Sequence, residues 1–360
     1  MPLNTLTEQG GAPRSAAILF AYRGKVRWRL FVLAALTVLC AAALLLDMTT
    51  GPSSLTAAQV WAGLLDPGSL SAAQHTIIWN VRLPYALMAV LVGAALSLAG
   101  AEMQAILNNP LASPFTLGVS SAASFGAALA IVLGISLPFV AAEWMVSLNA
   151  FIFAFGSVLL LQLMTRLRSS SVETMVLLGI ALVFVFNALV AFVQFASSQA
   201  ALQQLVFWSM GSLSRANWQN VSLMALVLAL VVPFSLLSAS KLTALRLGED
   251  RARSFGIHVS RLRFLALLRV SLLAATSVAF VGTIGFIGLV GPHIARLLLG
   301  EDHRFLLPGT LLTGALIMAL ASAASKMLVP GVLLPVGIVT SMVGVPVFLL
   351  LIFWKPEARS

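Results

Sequence analysis

Few residues in this chain are equipped for chemistry, and most of them lie in or beside long apolar runs. Glu102 is the one acid that falls within a candidate membrane span, near its end. It can snorkel to the interface or bond a neighbouring helix, and an acid inside a span is a functional candidate by default. His293 follows Pro292 with no second His, Cys or acid at ligand spacing, so a structural role is expected and no metal or cofactor site. Asn187 and Gln194 lie seven apart, and Gln203 and Gln204 follow. These amides can bond between helices or line a polar pathway. A nucleotide-hydrolysing loop needs a glycine-spaced Gly-Lys followed by Ser or Thr. The only Gly-Lys here, Gly24-Lys25, is followed by Val26. There is also no HExxH, paired-cysteine or GxSxG motif, so no enzyme is expected.

The elements that must position these residues are membrane helices. The chain is 60% hydrophobic and 9% charged, with a mean hydropathy of +1.03; a soluble domain carries about a quarter charged residues. A bilayer core of about 30 Å takes about 20 apolar residues per helix. Windows of that length fall at 28–46, 85–107, 114–137, 144–165, 175–196, 219–238, 262–281, 284–299, 305–324 and 334–354. The expectation is an all-α, polytopic fold of about ten transmembrane helices. Residues 1–27 form an N-terminal tail and 28–356 a single membrane domain, without room for a soluble catalytic domain. The run ending at Cys40 has no small-x-small cleavage site, and Leu39 is too bulky for a lipoprotein signal, so 28–46 is expected to remain as the first helix. Cys40 is the only cysteine, which excludes an intramolecular disulfide and suits helix packing.

The net charge of +10 reports topology and implies no nucleic-acid partner. With the N-terminus inside, only Arg82, Arg215 and Lys326 fall outside, leaving 18 of the 21 Lys and Arg on the inner side or at inner helix ends. That is the positive-inside bias of an inner (cytoplasmic) membrane protein with both termini cytoplasmic. Lys355 and Arg359 then mark a cytoplasmic C-terminus.

Two segments break the pattern. Residues 200–213 are too short and polar to cross, and suit an outer half-helix beside a cavity. Residues 241–263 read as two short interfacial helices. Leu242 and Leu245, then Ala252 and Phe255, give each a narrow apolar face; Gly248 and Gly256 can end them, and Glu249 and Asp250 open the second. Small residues at close spacing (Gly93, Ser97, Ala101; Gly282, Gly285, Gly288, Gly291) invite near-backbone helix contact.

Three blocks, in order, carry a resemblance to a family: RLPYALMAVLVGAALSLAGAEMQAILNNPLASPFTLGVSS at 82–121, LRLGEDRARSFGI at 245–257, and FVGTIGFIGLVGPHIARLLLGEDHRFLLPG at 280–309, followed by LLPVGIVTSMVGVPVF at 333–348. The chain resembles the iron-siderophore and vitamin B12 permeases of bacterial ABC importers. The resemblance implies a pair of permease subunits above two ABC ATPases, fed by a substrate-binding protein, with a ferric siderophore as cargo or, alternatively, cobalamin or haem. It further implies binding-protein docking at Arg82 and Lys326, with Tyr85 at a third docking position that lacks charge here. The alternative for Arg82 and Lys326 is that they only anchor helix ends. ATPase coupling falls on Leu245, Leu247, Gly248, Glu249, Asp250, Ala252, Phe255 and Gly256. The gate falls on the end of the fifth span and the half-helix, with Asn187, Gln194, Gln203 and Gln204. An ion-coupled carrier would want several charges within its spans, and only Glu102 comes near that placement.

Overall fold

Apolar runs of bilayer length satisfy their backbone internally only as helices or closed barrels, and here they form helices. The computed structural model describes residues 11–53, 55–168, 172–329 and 331–353, and no strand occurs among them. The helices are α1 (Gly11–Thr49), α2 (Ala57–Leu65), α3 (Ala72–His75), α4 (Leu83–Ile106), α5 (Val119–Leu133), α6 (Ala142–Arg168), α7 (Val172–Phe195), α8 (Gln199–Ser209), α9 (Trp218–Leu237), α10 (Ala239–Leu245), α11 (Glu249–Ser254), α12 (Val259–Val281), α13 (Ile287–Leu299), α14 (His303–Met327) and α15 (Val336–Phe353). Each of the ten apolar segments read from the sequence contains a helix. Seven are long enough to span a bilayer, while α5, α13 and α15 are shorter. The 13 residues of α13 reach only about 20 Å at about 1.5 Å per residue. The backbone beside it must therefore supply the remaining depth.

α4 and α12 form the centre, buried on nearly every side, whereas α7 and α9 leave most of their apolar residues on the perimeter. The small residues of α4 explain its position. A methyl group on Gly93 would overlap the Gly314 carbonyl of α14, and one on Gly100 would overlap the Gly288 carbonyl of α13. Ser97 sits against both Gly291 and Gly314. The stripe thus lets two helices approach α4 at backbone distance. Cys40 secures α1 against α14, its thiol donating to the Leu312 carbonyl at 3.0 Å.

Three features differ from the sequence expectation. α1 is helical from Gly11, well inside the segment assigned to a tail; residues 1–10, and Lys355 and Arg359 at the other end, lie outside the described residues. The glycine stripe at 282–291 is not one helix face, because α13 begins only at Ile287. Residues 56–82 form a cap of short helices that the span pattern gave no reason to expect. Its signal was present as Thr56-x-x-Gln59 and Ser71-x-x-Gln74, both of which form capping boxes. The cap ends in a π-helical turn, Thr76–Arg82, that runs into α4.

Candidate functional site: an interrupted-helix constriction and a helical platform

A seam forms where three elements stop being regular. Gly282 ends α12 at φ +75°, a conformation suited to glycine. The chain then runs unwound to Phe286, itself left-handed at φ +67°, before α13 starts. α8 is capped by Ser198, whose side chain accepts from the Ala201 N–H, and it ends before Gly211 at φ +70°. The loose ends are stitched together. The Ser212 N–H donates to the Val281 carbonyl (2.7 Å), the Gly337 N–H at the start of α15 donates to the Gly211 carbonyl (3.1 Å), and the Thr283 hydroxyl donates to the Ser209 carbonyl. Gly282 lies against the Trp208 carbonyl with no room for a side chain. Irregular backbone at membrane depth is therefore bonded to itself, as it must be away from water.

Cavities lie on either side of this seam. One, of about 520 Å³, is lined by Phe115, Ser120, Ser209, Met210, Thr283 and Ser341, giving short hydroxyls and apolar groups without a charge. The other, of about 430 Å³, is lined by Glu143, Gln204, Trp208, Ser212, Ser214 and Arg215. The Arg215 guanidinium lies 5.8 Å from the Trp208 ring centroid. Desolvation pulls its pKa down to about 10.

The platform is made by α10 and α11. Leu242, Leu245 and Ala252 point inward and are fully buried. Leu247 and Phe255 are 54% and 64% exposed. Gly248 (φ +108°) and Gly256 (φ +78°) end the two helical segments in the region that disfavours side chains. The sequence spacing puts Phe255 on the same apolar face as Ala252. It lies beyond the end of α11, with φ −82° and ψ 8°, and so turns outward. Polar struts tie the platform to the membrane helices. Arg246 and Arg296 share the Glu301 carboxylate. Arg296 continues to Gln104 Oε1 (2.9 Å), and Gln104 Nε2 reaches the Gly288 carbonyl (3.5 Å). Arg263 joins Glu249 of α11 to the Ile106 carbonyl at the end of α4. Thr243 of α10 meets His303 Nδ1 at 3.1 Å.

A seam of broken helices, with polar struts tying a helical platform to the membrane helices, suits a permease, and the FecCD transport family model matches residues 36–354. The chain belongs to the FecCD transport family. The vitamin B12 import permease of Salmonella typhi is 38% identical over 332 residues, covering 92% of this chain and 96% of its own. The haemin transport permease of Yersinia pestis is 38% identical over 284 residues, covering 79% and 85%. A solved structure described as an inward-facing metal-chelate type ABC transporter superposes with a TM-score of 0.80 at 32% identity, covering 90% of this chain and 99% of its own. The protein is accordingly an ABC importer permease subunit, which in this family is a membrane component and not itself an enzyme.

Within this FecCD permease, several residues sit differently from the sequence expectation. Arg82 and Lys326, read as outward docking charges or as anchors, are only 5% and 9% exposed. Lys326 pairs with Asp47 Oδ1 (2.9 Å) and lies 4.3 Å from the Tyr85 ring centroid. Arg82 donates to the Met48 carbonyl (2.9 Å) and to Ser53 Oγ (2.6 Å). Ser322 also donates to Asp47 (2.7 Å). Both cations and Tyr85 thus serve a buried knot between α1, α4 and α14 and present no open charged surface. A desolvated cation is stable only when paired in this way. Glu102 is likewise paired, accepting a fork from Arg269 Nε (3.0 Å) and Nη2 (2.7 Å) of α12. Gln204 lines the cavity that holds Arg215, Gln194 is half-buried, and Gln203 and Asn187 are exposed on α8 and α7. The four amides are not gathered at one place. The hydroxyls nearest the seam, Ser209, Thr283 and Ser341, gave no sequence signal, because Ser and Thr are routine in membrane helices.

Proposed function

We propose that this chain forms, with a second permease subunit of the same or a related sequence, the pathway through which a bulky iron chelate enters a bacterial cell. A ferric siderophore is the first candidate. Two copies of a separate ABC ATPase would seat against α10 and α11, and a substrate-binding protein would deliver cargo to the opposite face. The platform then lies on the cytoplasmic side of the inner membrane, with both termini, and the seam faces outward. The observation that carries this reading is the pairing of an uncharged, hydroxyl-lined seam with an exposed apolar pair, Leu247 and Phe255, on the far platform. Large chelates pass best over weakly polar walls that do not hold them, and exposed apolar groups outside the bilayer suit a protein partner. The exposed amides of α7 and α8 would face the second subunit or the pathway.

The test is uptake into proteoliposomes holding the chain with its ATPase and binding protein. Ferric siderophore, haemin and cyanocobalamin would be offered in parallel. The reading expects ATP-dependent accumulation of the siderophore. The names of the two relatives supply the alternatives, and accumulation of haemin or cobalamin alone would replace the siderophore while keeping the importer.

A further inference from the structure

A third cavity, of about 310 Å³, lies between the end of α6 and the start of α12, away from both the seam and the exposed face of the platform. Gln162, Arg166, Arg261 and Arg263 line it, and no acid does. Arg263 is held by Glu249 and the Ile106 carbonyl. Glu249 also pairs with Arg253. Arg166 lies over the Phe264 ring at 4.2 Å, which holds its guanidinium at the cavity rim. Gln162 is only 5% exposed, yet neither of its amide atoms has a partner. A buried amide without protein hydrogen bonds is costly and leaves a donor and an acceptor for a bound group. On the same stretch of α6, Leu163 and Leu167 are 56% and 78% exposed, giving an apolar surface beside the basic rim.

We propose that this cavity binds the phosphate headgroup of an anionic phospholipid in the inner leaflet. The arginines face the phosphate oxygens, the Gln162 amide donates within, and the acyl chains lie along Leu163 and Leu167. The apolar rim favours a lipid over a free phosphate, since a soluble ion gains nothing from it. Basic pockets between membrane helices on the cytoplasmic side suit such headgroups. The inference rests on the orientation proposed above and on nothing else in the transport reading.

The test uses the purified full chain, delipidated in detergent, with lipid occupancy counted by native mass spectrometry and thermal melting followed in parallel. Phosphatidylglycerol is expected to be retained over phosphatidylcholine, and to raise the melting temperature more. Arg166→Gln combined with Arg261→Gln should weaken phosphatidylglycerol retention by roughly tenfold or more. Gln162→Leu, which leaves the charges in place, should weaken it less. Unchanged melting in phosphatidylcholine shows that the variants are folded. Equal retention of the two lipids, or no loss in the double variant, overturns the proposal. So does inorganic phosphate, in a third arm, stabilising the chain and displacing phosphatidylglycerol, because the site would then be one for a soluble anion. The assay contains no ATPase or cargo, so its failure leaves the import reading intact, and failed import leaves it unaffected.

Discussion

Glu102 and Arg269 form a buried ion pair between α4 and α12. The carboxylate is 1% exposed and accepts three contacts from one guanidinium. Removing one partner leaves the other as an uncompensated buried charge, which costs about 3–5 kcal/mol. Glu102→Gln should therefore lower the melting temperature sharply, whereas Glu102→Leu combined with Arg269→Met should recover much of the loss. The knot around Asp47 follows the same logic. Lys326→Glu should destabilise the fold by placing two acids together, and a variant that melts normally would show that Asp47 has another partner. At the platform edge, Asp302 caps α14, and its bonds to Arg304, helped by Arg29, hold its pKa below the usual carboxylate value. A depressed folded pKa stabilises above the unfolded value of about 3.9 and is lost as pH falls through the folded one. Asp302→Asn keeps a good N-cap but loses the charge, so it should lower the neutral plateau, leave stability in strong acid little changed, and thereby flatten the acid limb of the pH-stability curve.

At the scale of elements, the platform and the α4 packing make separable claims. Phe255 lies outside the bilayer and is 64% exposed, so Phe255→Ala should leave the membrane fold intact. If it seats in an ATPase groove, the truncation forfeits roughly 1.5–3 kcal/mol, about tenfold or more in occupancy. Co-purification of the ATPase should fall accordingly, and Gly256→Val should act in the same direction by straining a φ of +78°. Full co-purification with both variants would remove the platform from coupling. Gly100→Ala should instead act on the fold, because the added methyl meets the Gly288 carbonyl; overpacking of this kind costs about 1–3 kcal/mol, read as a melting shift. Much of this was legible in the sequence. The spacing of Gly93 and Ser97 announced close helix contact, and Gly248 and Gly256 marked where α10 and α11 end. The unwound stretch at 282–286 was not legible, since glycines three apart fit a helical stripe as well as a break. Nor was the burial of Lys326. Its partner Asp47 lies 279 residues away in sequence, beyond the reach of any local pattern, and a basic residue at a helix end reads the same whether paired or free.

For the whole molecule, membership of the FecCD family and the fold agree on a permease, while cargo and orientation rest on the proposed reading. The strut from Arg246 through Glu301, Arg296 and Gln104 to Gly288 links the platform to the helix that follows the seam. We propose that nucleotide turnover belongs to a separate subunit, because the only Gly-Lys of this chain, Gly24-Lys25, lacks the Ser or Thr of a phosphate-binding loop. The most direct measurement is ATP hydrolysis by the homogeneous chain in liposomes, with and without its ATPase. The account expects no hydrolysis from the chain alone. It expects turnover with the ATPase present that falls when Phe255 is replaced by alanine. Hydrolysis by the isolated chain would contradict it outright.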